Sequence, residues 1–281
     1  MQAFFIISGY CSNFQISLKL LIKKNLLTLW FPALLVATVA FIVKNPIFHT
    51  DACFVVTKIF KSSLQWFLLA LIWSKIIVWF ALHVKSIVIR LTAIVLIYAL
   101  SIRWGMYAQN THVYLFLQQG LAAVSYVYLG HWLRGMDAFE NKRFLNITSA
   151  LWLAVSAFYV LSGTLTPWIG YNFVFGHYYE IPIIVILAVS GSMFVINISK
   201  YINCQALAYV GRASLIVYIV HYHLLRFLVD NISVQEILKC NKLSFVIGYC
   251  FIVGTATIVS TLIYRVVSTK YLKWTLGKFQ S

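Results

Sequence analysis

The stretch LSFVIGYCFIVGTATIVSTLIY, from Leu243 to Tyr264, decides the fold because it contains no charged residue. A helix needs about 20 apolar residues to cross the roughly 30 Å of hydrocarbon in a bilayer. Such a helix also satisfies its own backbone hydrogen bonds where no water is present. The alternating apolar and polar pattern of outer-membrane strands is absent. The stretch therefore predicts a transmembrane helix.

Further apolar segments along the chain predict more membrane helices of the same kind. They are Met1–Phe14, Leu26–Val43, Leu64–Leu82, Ile87–Ile102, His112–Leu133, Phe144–Ser162, Ile181–Ile198 and Ala213–Val229. The chain is 62% hydrophobic and only 10% charged, whereas soluble domains carry about 25% charged residues. We therefore predict an all-α, polytopic integral membrane helical bundle of about nine membrane segments, forming one domain over residues 1–281.

The basic residues are distributed unevenly between the two predicted sides of the membrane. The richer side has Lys19, Lys23, Lys24, Lys85, Arg90, Arg134, Lys142, Arg143, Lys200, Arg212, Arg265, Lys270, Lys273 and Lys278. The poorer side has Lys44, Lys58, Lys61, Arg103, Lys239 and Lys242. The positive-inside rule then predicts a cytoplasmic C-terminus. It also explains the net charge of +16 without a nucleic-acid partner.

Sequence motifs of soluble enzymes are missing from this chain. No phosphate-binding loop, dinucleotide fingerprint, zinc-protease motif or serine-hydrolase elbow is present. His221 and His223 are two residues apart and point to different sides of a helix, so they cannot share a metal ion. We predict no metal site and no bound cofactor.

Polar residues within one apolar segment form the main candidate site. Ser214, Tyr218 and His221 are spaced four and three residues apart, which places them on one helical face. An ionisable residue inside a membrane is by default a functional candidate. A histidine that only packs helices together through a hydrogen bond is an equally good reading of the residues alone.

Several motifs resemble a known family of membrane enzymes. The opening Phe4-Phe5-Ile6-Ile7-Ser8-Gly9-Tyr10, the pair Lys23-Lys24 followed by Pro32, and Trp66-Phe67-Leu68 occur in that order. Near the end, Tyr209-Val210-Gly211-Arg212-Ala213-Ser214-Leu215 precedes Val217-Tyr218-Ile219-Val220-His221. In order and spacing these elements resemble the membrane-bound acyltransferase 3 family. The motif residues are Ser8, Gly9, Trp66, Gly211 and Ser214.

The resemblance implies an activity and a location. The resemblance implies an enzyme with about ten membrane helices. Such an enzyme moves an acyl group, usually acetyl, from cytoplasmic acyl-CoA. The acceptor is a sugar hydroxyl of a cell-envelope polysaccharide, and the setting is the bacterial inner membrane. The family's first helix carries a histidine assigned to catalysis. This sequence has no counterpart of that helix, so we expect an N-terminally incomplete or inactive version.

The same resemblance suggests roles for individual residues. His221 and Tyr218 are the predicted catalytic residues, and Lys24 and Arg212 are predicted to bind the phosphates of the acyl-CoA donor. Trp168 and Glu180 are predicted to bind the sugar acceptor, since aromatic faces stack on sugars and a carboxylate accepts their hydroxyls. The alternatives are positive-inside bias for the cations and an interfacial aromatic belt for Trp168.

Two other classes of function are compatible with a polytopic membrane protein. One is a non-catalytic protein that binds or moves a lipid-linked glycan. The other is a secondary transporter, which is disfavoured because the sequence has neither an internal repeat nor matching pairs of broken helices. The expected partners are acyl-CoA, a glycan or lipid-linked sugar, and the lipid bilayer.

Overall fold

The structure, a computed structural model, describes residues 2–44, 55–56, 60, 65–107, 116–162, 181–231 and 242–268. These residues form helices and no strands. In chain order the helices are α1 (Gln2–Cys11), α2 (Leu18–Asn25), α3 (Phe31–Lys44), α4 (Trp66–Leu82), α5 (Ile87–Tyr107), α6 (Leu117–Gly135), α7 (Lys142–Leu161), α8 (Ile181–Tyr201), α9 (Gln205–Asn231) and α10 (Lys242–Val267). A π-helical turn, Leu26–Trp30, joins α2 to α3. The all-α prediction is confirmed.

Each predicted membrane segment overlaps one of these helices. Two helical stretches among the described residues are long and apolar enough to cross a bilayer, Leu18–Ile42 and Ile87–Trp104. Shorter apolar helices cover Gln2–Cys11, Trp66–Leu82, Val185–Tyr201 and Val253–Val266. The apolar helices agree with a membrane protein, and the number of nine spans stays a prediction.

Two helices begin earlier than the apolar runs predict. The helix that contains Leu26 starts at Leu18, and α9 starts at Gln205. Lys23, Lys24 and Arg212 lie outside the predicted apolar segments, yet all three are helical. Lysine and arginine have good helix propensity. A helix can therefore continue past the apolar run into a polar region, where the charges are solvated.

The chain divides into two compact units. The first comprises Met1–Ile22 and Trp66–Asn203, and the second comprises Lys23–Gln65 and Cys204–Ser281. The prediction of a single domain is not tested by this division. In the first unit α6 is the central helix, since α1, α4 and α5 all pack on it. Its sequence is rich in glycine and alanine, and small residues let helices approach closely.

The backbones of α1 and α6 approach each other closely at two glycines. A Cβ atom on Gly9 would overlap the carbonyl oxygen of Val127, and one on Gly130 would overlap the carbonyl oxygen of Ile6. The Cβ atom on Gly130 would also lie 2.9 Å from the backbone nitrogen of Tyr10. Glycine is therefore required on both helices. The Ser8-Gly9-Tyr10 motif thus has a packing role in this fold.

The outer surface of the first unit is apolar along α5. Val88, Val95 and Leu100 are each more than 60% exposed, and Ile89 and Leu96 are exposed as well. A continuous apolar surface of this kind is unfavourable in water and marks an interaction surface. Lipid chains are the natural neighbours of such a helix.

The link between α1 and α2 is fixed to the first unit by Trp79. Its indole Nε1 donates a hydrogen bond of 2.8 Å to the carbonyl oxygen of Ile16. Replacing Trp79 with phenylalanine removes this donor and leaves the carbonyl unpaired, so we expect a loss of about 1 kcal/mol in the free energy of unfolding. Thermal unfolding in detergent measures it. Trp132→Phe is the control, because Trp132 is 50% exposed; equal losses in both variants would contradict the assignment.

The second unit is built on α9, which packs against α3 and α10. Ile216 and Val220 of α9 are buried, and Val36, Ile263 and Tyr264 pack around them. Burial of such aliphatic side chains stabilises the contact by about 1.5–3 kcal/mol each in water. In lipid the hydrophobic effect does not drive helices together, and close van der Waals packing stabilises the contact instead. The three helices hold the candidate site on α9 in a fixed orientation.

Pro32 explains the π-helical turn between α2 and α3. Proline has no N–H and its ring clashes with the carbonyl four residues earlier, which here belongs to Thr28. The chain relaxes through a wider turn, in which the Phe31 N–H donates to the carbonyl oxygen of Leu26, five residues back. The hydroxyl of Thr28 donates to the carbonyl oxygen of Lys24 at 2.8 Å. Such turns often occur at functional sites.

Candidate functional site

Helix α9 has two distinct faces along its central turns. Ala213, Ile216, Ile219 and Val220 are buried, whereas Ser214, Tyr218 and His221 are half-buried. The predicted alignment of the three polar residues on one face is consistent with this difference in burial. The side chains of Ser214, Tyr218 and His221 therefore lie beside the packed face of the helix, where a ligand could partly reach them.

The imidazole of His221 is held by its own helix. Its Nδ1 lies 3.0 Å from the carbonyl oxygen of Val217, one turn earlier. A carbonyl can only accept a hydrogen bond, so Nδ1 carries the proton in this arrangement. In the neutral imidazole the other nitrogen, Nε2, is then the one with a lone pair. This tautomer is the one that a general base with an outward-facing Nε2 requires.

Tyr218 lies beside His221 on the same face. The two ring centroids are 5.5 Å apart and the ring planes are inclined by 49°. The phenol is three residues before the histidine, so both side chains rise from adjacent turns. The structure brings the two predicted catalytic residues together.

Arg212 lies two turns before His221 and is exposed. Its guanidinium carbon is 6.0 Å from the centroid of the Tyr209 ring, within reach of a cation–π interaction. The Tyr209 ring in turn packs edge-on against Tyr264 of α10, with centroids 5.7 Å apart. A Cβ atom on Gly211 would meet nothing within 4 Å, so helix packing does not explain the glycine of this motif.

Lys24 is the other predicted donor-binding residue. It is exposed in the last turn of α2, directly before the π-helical turn. Lys24 and Arg212 both belong to the second unit, as do Tyr218 and His221. The cations that the sequence assigned to the donor are therefore accessible to a ligand.

The remaining predicted residues lie elsewhere. Ser8, Gly9 and Trp66 belong to the first unit. The carbonyl oxygen of Ser8 accepts a hydrogen bond from Ser12 Oγ at 2.6 Å, and Trp66 packs edge-on against Phe67. Trp168 and Glu180 lie outside the described residues, and their predicted role in acceptor binding stays a prediction.

Two buried amides of the second unit were not singled out from the sequence. Gln65 Nε2 donates to the carbonyl oxygen of Ile219 at 3.3 Å, while its Oε1 is buried without a partner. Asn25, next to Lys24, is 5% exposed and its Nδ2 is also unpartnered. An unpaired buried polar group costs about 1–3 kcal/mol. The sequence feature that could have pointed to Gln65 and Asn25 is the position of each amide at the edge of a predicted apolar segment.

No metal site is found among the described residues, since no three potential ligands cluster there. The side chains of His221 and Tyr218 can support proton transfer and hydrogen bonding, beside solvated cations. A hydroxyl nucleophile needs a base of this kind. An acyl donor with phosphates needs cations of this kind.

The comparison with protein families identifies the class. A family model described as an acyltransferase domain matches residues 1–265. The chain therefore belongs to the acyltransferase 3 family, a family of membrane-associated acyltransferases, and the sequence-based resemblance is confirmed. No curated protein and no solved structure matches this chain.

Proposed function

We propose that this protein is a membrane O-acyltransferase that moves an acyl group, most simply acetyl, from acyl-CoA to a hydroxyl of a cell-envelope or exopolysaccharide sugar. Membership of the acyltransferase family supports the reaction class. The observation that carries the proposal furthest is the 3.0 Å contact between His221 Nδ1 and the carbonyl oxygen of Val217. With Nδ1–H donating to Val217, Nε2 is ready to accept the proton of an attacking hydroxyl.

The proposed reaction has a simple balance of bonds. The sugar oxygen forms a bond to the thioester carbonyl carbon while its proton passes to Nε2 of His221. The tetrahedral intermediate collapses, the carbon–sulfur bond breaks, and the thiolate of CoA takes up the proton from Nε2 of His221, which restores the neutral imidazole. In this scheme the phenol of Tyr218, 5.5 Å from the imidazole ring, positions the acceptor hydroxyl or donates to the developing oxyanion.

Donor binding is assigned to the cations of the second unit. Arg212 precedes His221 by nine residues, which corresponds to about 14 Å along a helix. In an acyl-CoA the thioester and the phosphates are separated by the pantetheine arm. Arg212 and Lys24 would hold the phosphates at the predicted cytoplasmic side, and the arm would extend along α9 towards His221. Trp168 and Glu180 are proposed to bind the sugar on the opposite side.

The resulting location is the bacterial inner membrane with the C-terminus in the cytoplasm. The distribution of basic residues and the positive-inside rule support this orientation. It places the donor cations on the side where acyl-CoA is made. The same orientation puts Trp168 and Glu180, the proposed acceptor-binding residues, on the side where envelope glycans are assembled.

The test is transfer of labelled acetyl groups to glycan. Membranes that carry this chain receive acetyl-CoA labelled on the acetyl group, and the glycan is isolated and counted. A second version carries the helix that the resemblance places before Met1. We expect label in the glycan, at least in the longer version. Correct insertion without label in either version, with native glycan present, would favour the non-catalytic glycan-binding alternative.

A further inference from the structure

Three cationic or potentially cationic side chains meet in the first unit, away from the residues assigned above. His131 and Arg134 lie one turn apart on α6, and Arg90 comes from the first turn of α5. Both guanidinium groups are within electrostatic range of the imidazole. Helices α5 and α6 pack against each other. These three residues are called the α5–α6 basic cluster below.

Each member of the cluster is fixed in place by a neighbouring group. Arg90 Nη2 donates to the carbonyl oxygen of Val84 at 2.7 Å, and Arg134 Nη1 donates to that of Ser12 at 3.1 Å. The ring of Phe14 packs edge-on against His131, with centroids 5.3 Å apart. The cluster is thus held by the α4–α5 turn and by the link after α1. A preorganised group of donors loses little entropy on binding a ligand.

The cluster has buried nitrogen atoms that no described group satisfies. Arg90 Nε and His131 Nδ1 are both buried and both lack a hydrogen-bond partner. Leaving such groups unpaired costs about 1–3 kcal/mol each, and more when they are charged. Arg90 Nε–H is a donor, and His131 Nδ1 is one in the tautomer that carries its proton there. Together with the guanidinium of Arg134, these nitrogens point to a ligand with several acceptor oxygens.

Two carboxylates, Asp137 and Glu140, follow Arg134 closely along the chain. Glu140 forms its ion pair with Lys200 at 3.4 Å. Lys200 also donates to the carbonyl oxygen of Phe139. Among the described residues neither Arg90 nor Arg134 has an ion pair with an acidic side chain. Asp137 lies one turn after Arg134, and both act electrostatically on the Tyr10 phenol, so the charge of Arg134 is partly offset without an ion pair. An anion would still relieve the repulsion between the two guanidinium groups.

We propose that the α5–α6 basic cluster binds a phosphate or pyrophosphate group. Arg134 is exposed and receives the anion first, and small side-chain shifts then bring in Arg90 and His131. A phosphate accepts several charge-assisted hydrogen bonds at once, which suits two guanidinium groups and an imidazole. Two molecules carry this chemistry, a soluble nucleotide-like donor such as coenzyme A and the headgroup of an anionic lipid.

The position of the cluster is compatible with both sources. It lies on the predicted cytoplasmic side, where coenzyme A is dissolved. It also lies at the start of α5, whose exposed apolar side chains suit contact with lipid. The site does not depend on the proposed reaction, because binding is measured without acyl transfer.

The experiment uses the full chain purified in neutral detergent. In one arm pyrophosphate and coenzyme A are titrated, and binding is measured by calorimetry. In the other arm the protein is placed in nanodiscs of phosphatidylcholine with or without phosphatidylglycerol, and retained lipid is identified by native mass spectrometry. Binding of the soluble phosphates without anionic lipid identifies a nucleotide-type ligand. Selective retention of phosphatidylglycerol alone identifies a lipid headgroup.

The variants separate the cluster from general surface charge. We expect Arg134→Gln to weaken binding about tenfold or more, the effect of losing one charge-assisted contact. Arg90→Gln should do the same, provided that its melting temperature matches that of the unsubstituted protein. Arg143→Gln is the matched control, because Arg143 is exposed on the same predicted side. The proposal is overturned if no probe binds, or if Arg134→Gln binds as tightly as the unsubstituted protein, which would assign coenzyme A to Lys24 and Arg212 instead. It is also overturned if Arg143→Gln weakens binding as much as Arg134→Gln.

Discussion

Replacing Gly130 with alanine is expected to prevent α1 from packing on α6. The new Cβ would overlap the carbonyl oxygen of Ile6 and approach the Tyr10 nitrogen to 2.9 Å. Backbone atoms in a helix cannot move aside as a flexible side chain can. We therefore expect a loss of about 3 kcal/mol or more in the free energy of unfolding, at the upper end of overpacking effects. Thermal unfolding in detergent, followed by size-exclusion chromatography, measures the loss.

Gly135→Ala is the matched control for this prediction. Gly135 ends the same helix, and a Cβ there would meet nothing within 4 Å. Alanine is intrinsically better than glycine in a helix by about 1 kcal/mol, so this variant should be at least as stable as the unsubstituted protein. If Gly130→Ala melted at the same temperature as Gly135→Ala, the close contact between α1 and α6 would be disproved.

The pairing of Gly9 with Gly130 shows what the sequence could not predict. No two glycines of the chain are spaced four apart, so the usual signal for close helix packing is missing. The contact instead joins residues that are far apart along the chain, on two helices with polar and apolar sequence between them. Local patterns cannot reveal such a pair. The motif that contains Gly9 was recognised, but its physical role required the fold.

The helices themselves were largely predictable, because each predicted apolar segment overlaps a helix. Their ends were less so. Lys24 and Arg212 fall outside the predicted segments because charge interrupts the apolar run, yet both are helical. Hydropathy reports where lipid ends, whereas helix propensity and packing decide where the helix ends. The end of the apolar segment and the end of the helix coincide where a helix-breaking residue such as glycine or proline is present.

The candidate site also has features that the sequence predicted and features that only the fold shows. The spacing of Ser214, Tyr218 and His221 predicts a shared helical face, and the structure places Tyr218 beside His221. The hydrogen bond from His221 to Val217 was not predicted, although a four-residue spacing permits it. The buried side chain of Gln65, which reaches the carbonyl of Ile219, depends on a tertiary contact that a single sequence does not encode visibly.

Replacing His221 with asparagine is expected to abolish acetyl transfer while the fold is kept. The asparagine amide nitrogen can donate to the Val217 carbonyl in place of Nδ1, but it offers nothing equivalent to the basic Nε2. Loss of a general base lowers the rate by about 10²–10⁴-fold. The measurement is the initial rate of label transfer to glycan, made in whichever version of the chain transfers acetyl groups.

His221→Ala completes the comparison, because it removes both the hydrogen bond and the base. If His221 acts through Nε2, the asparagine and alanine variants lose activity alike, and the asparagine variant melts close to the unsubstituted protein. If His221 only packs α9, the asparagine variant keeps the transfer rate and the alanine variant loses mainly stability. A retained rate in both variants would remove His221 from the mechanism and shift the search for the base to Tyr218 or to a residue outside α9.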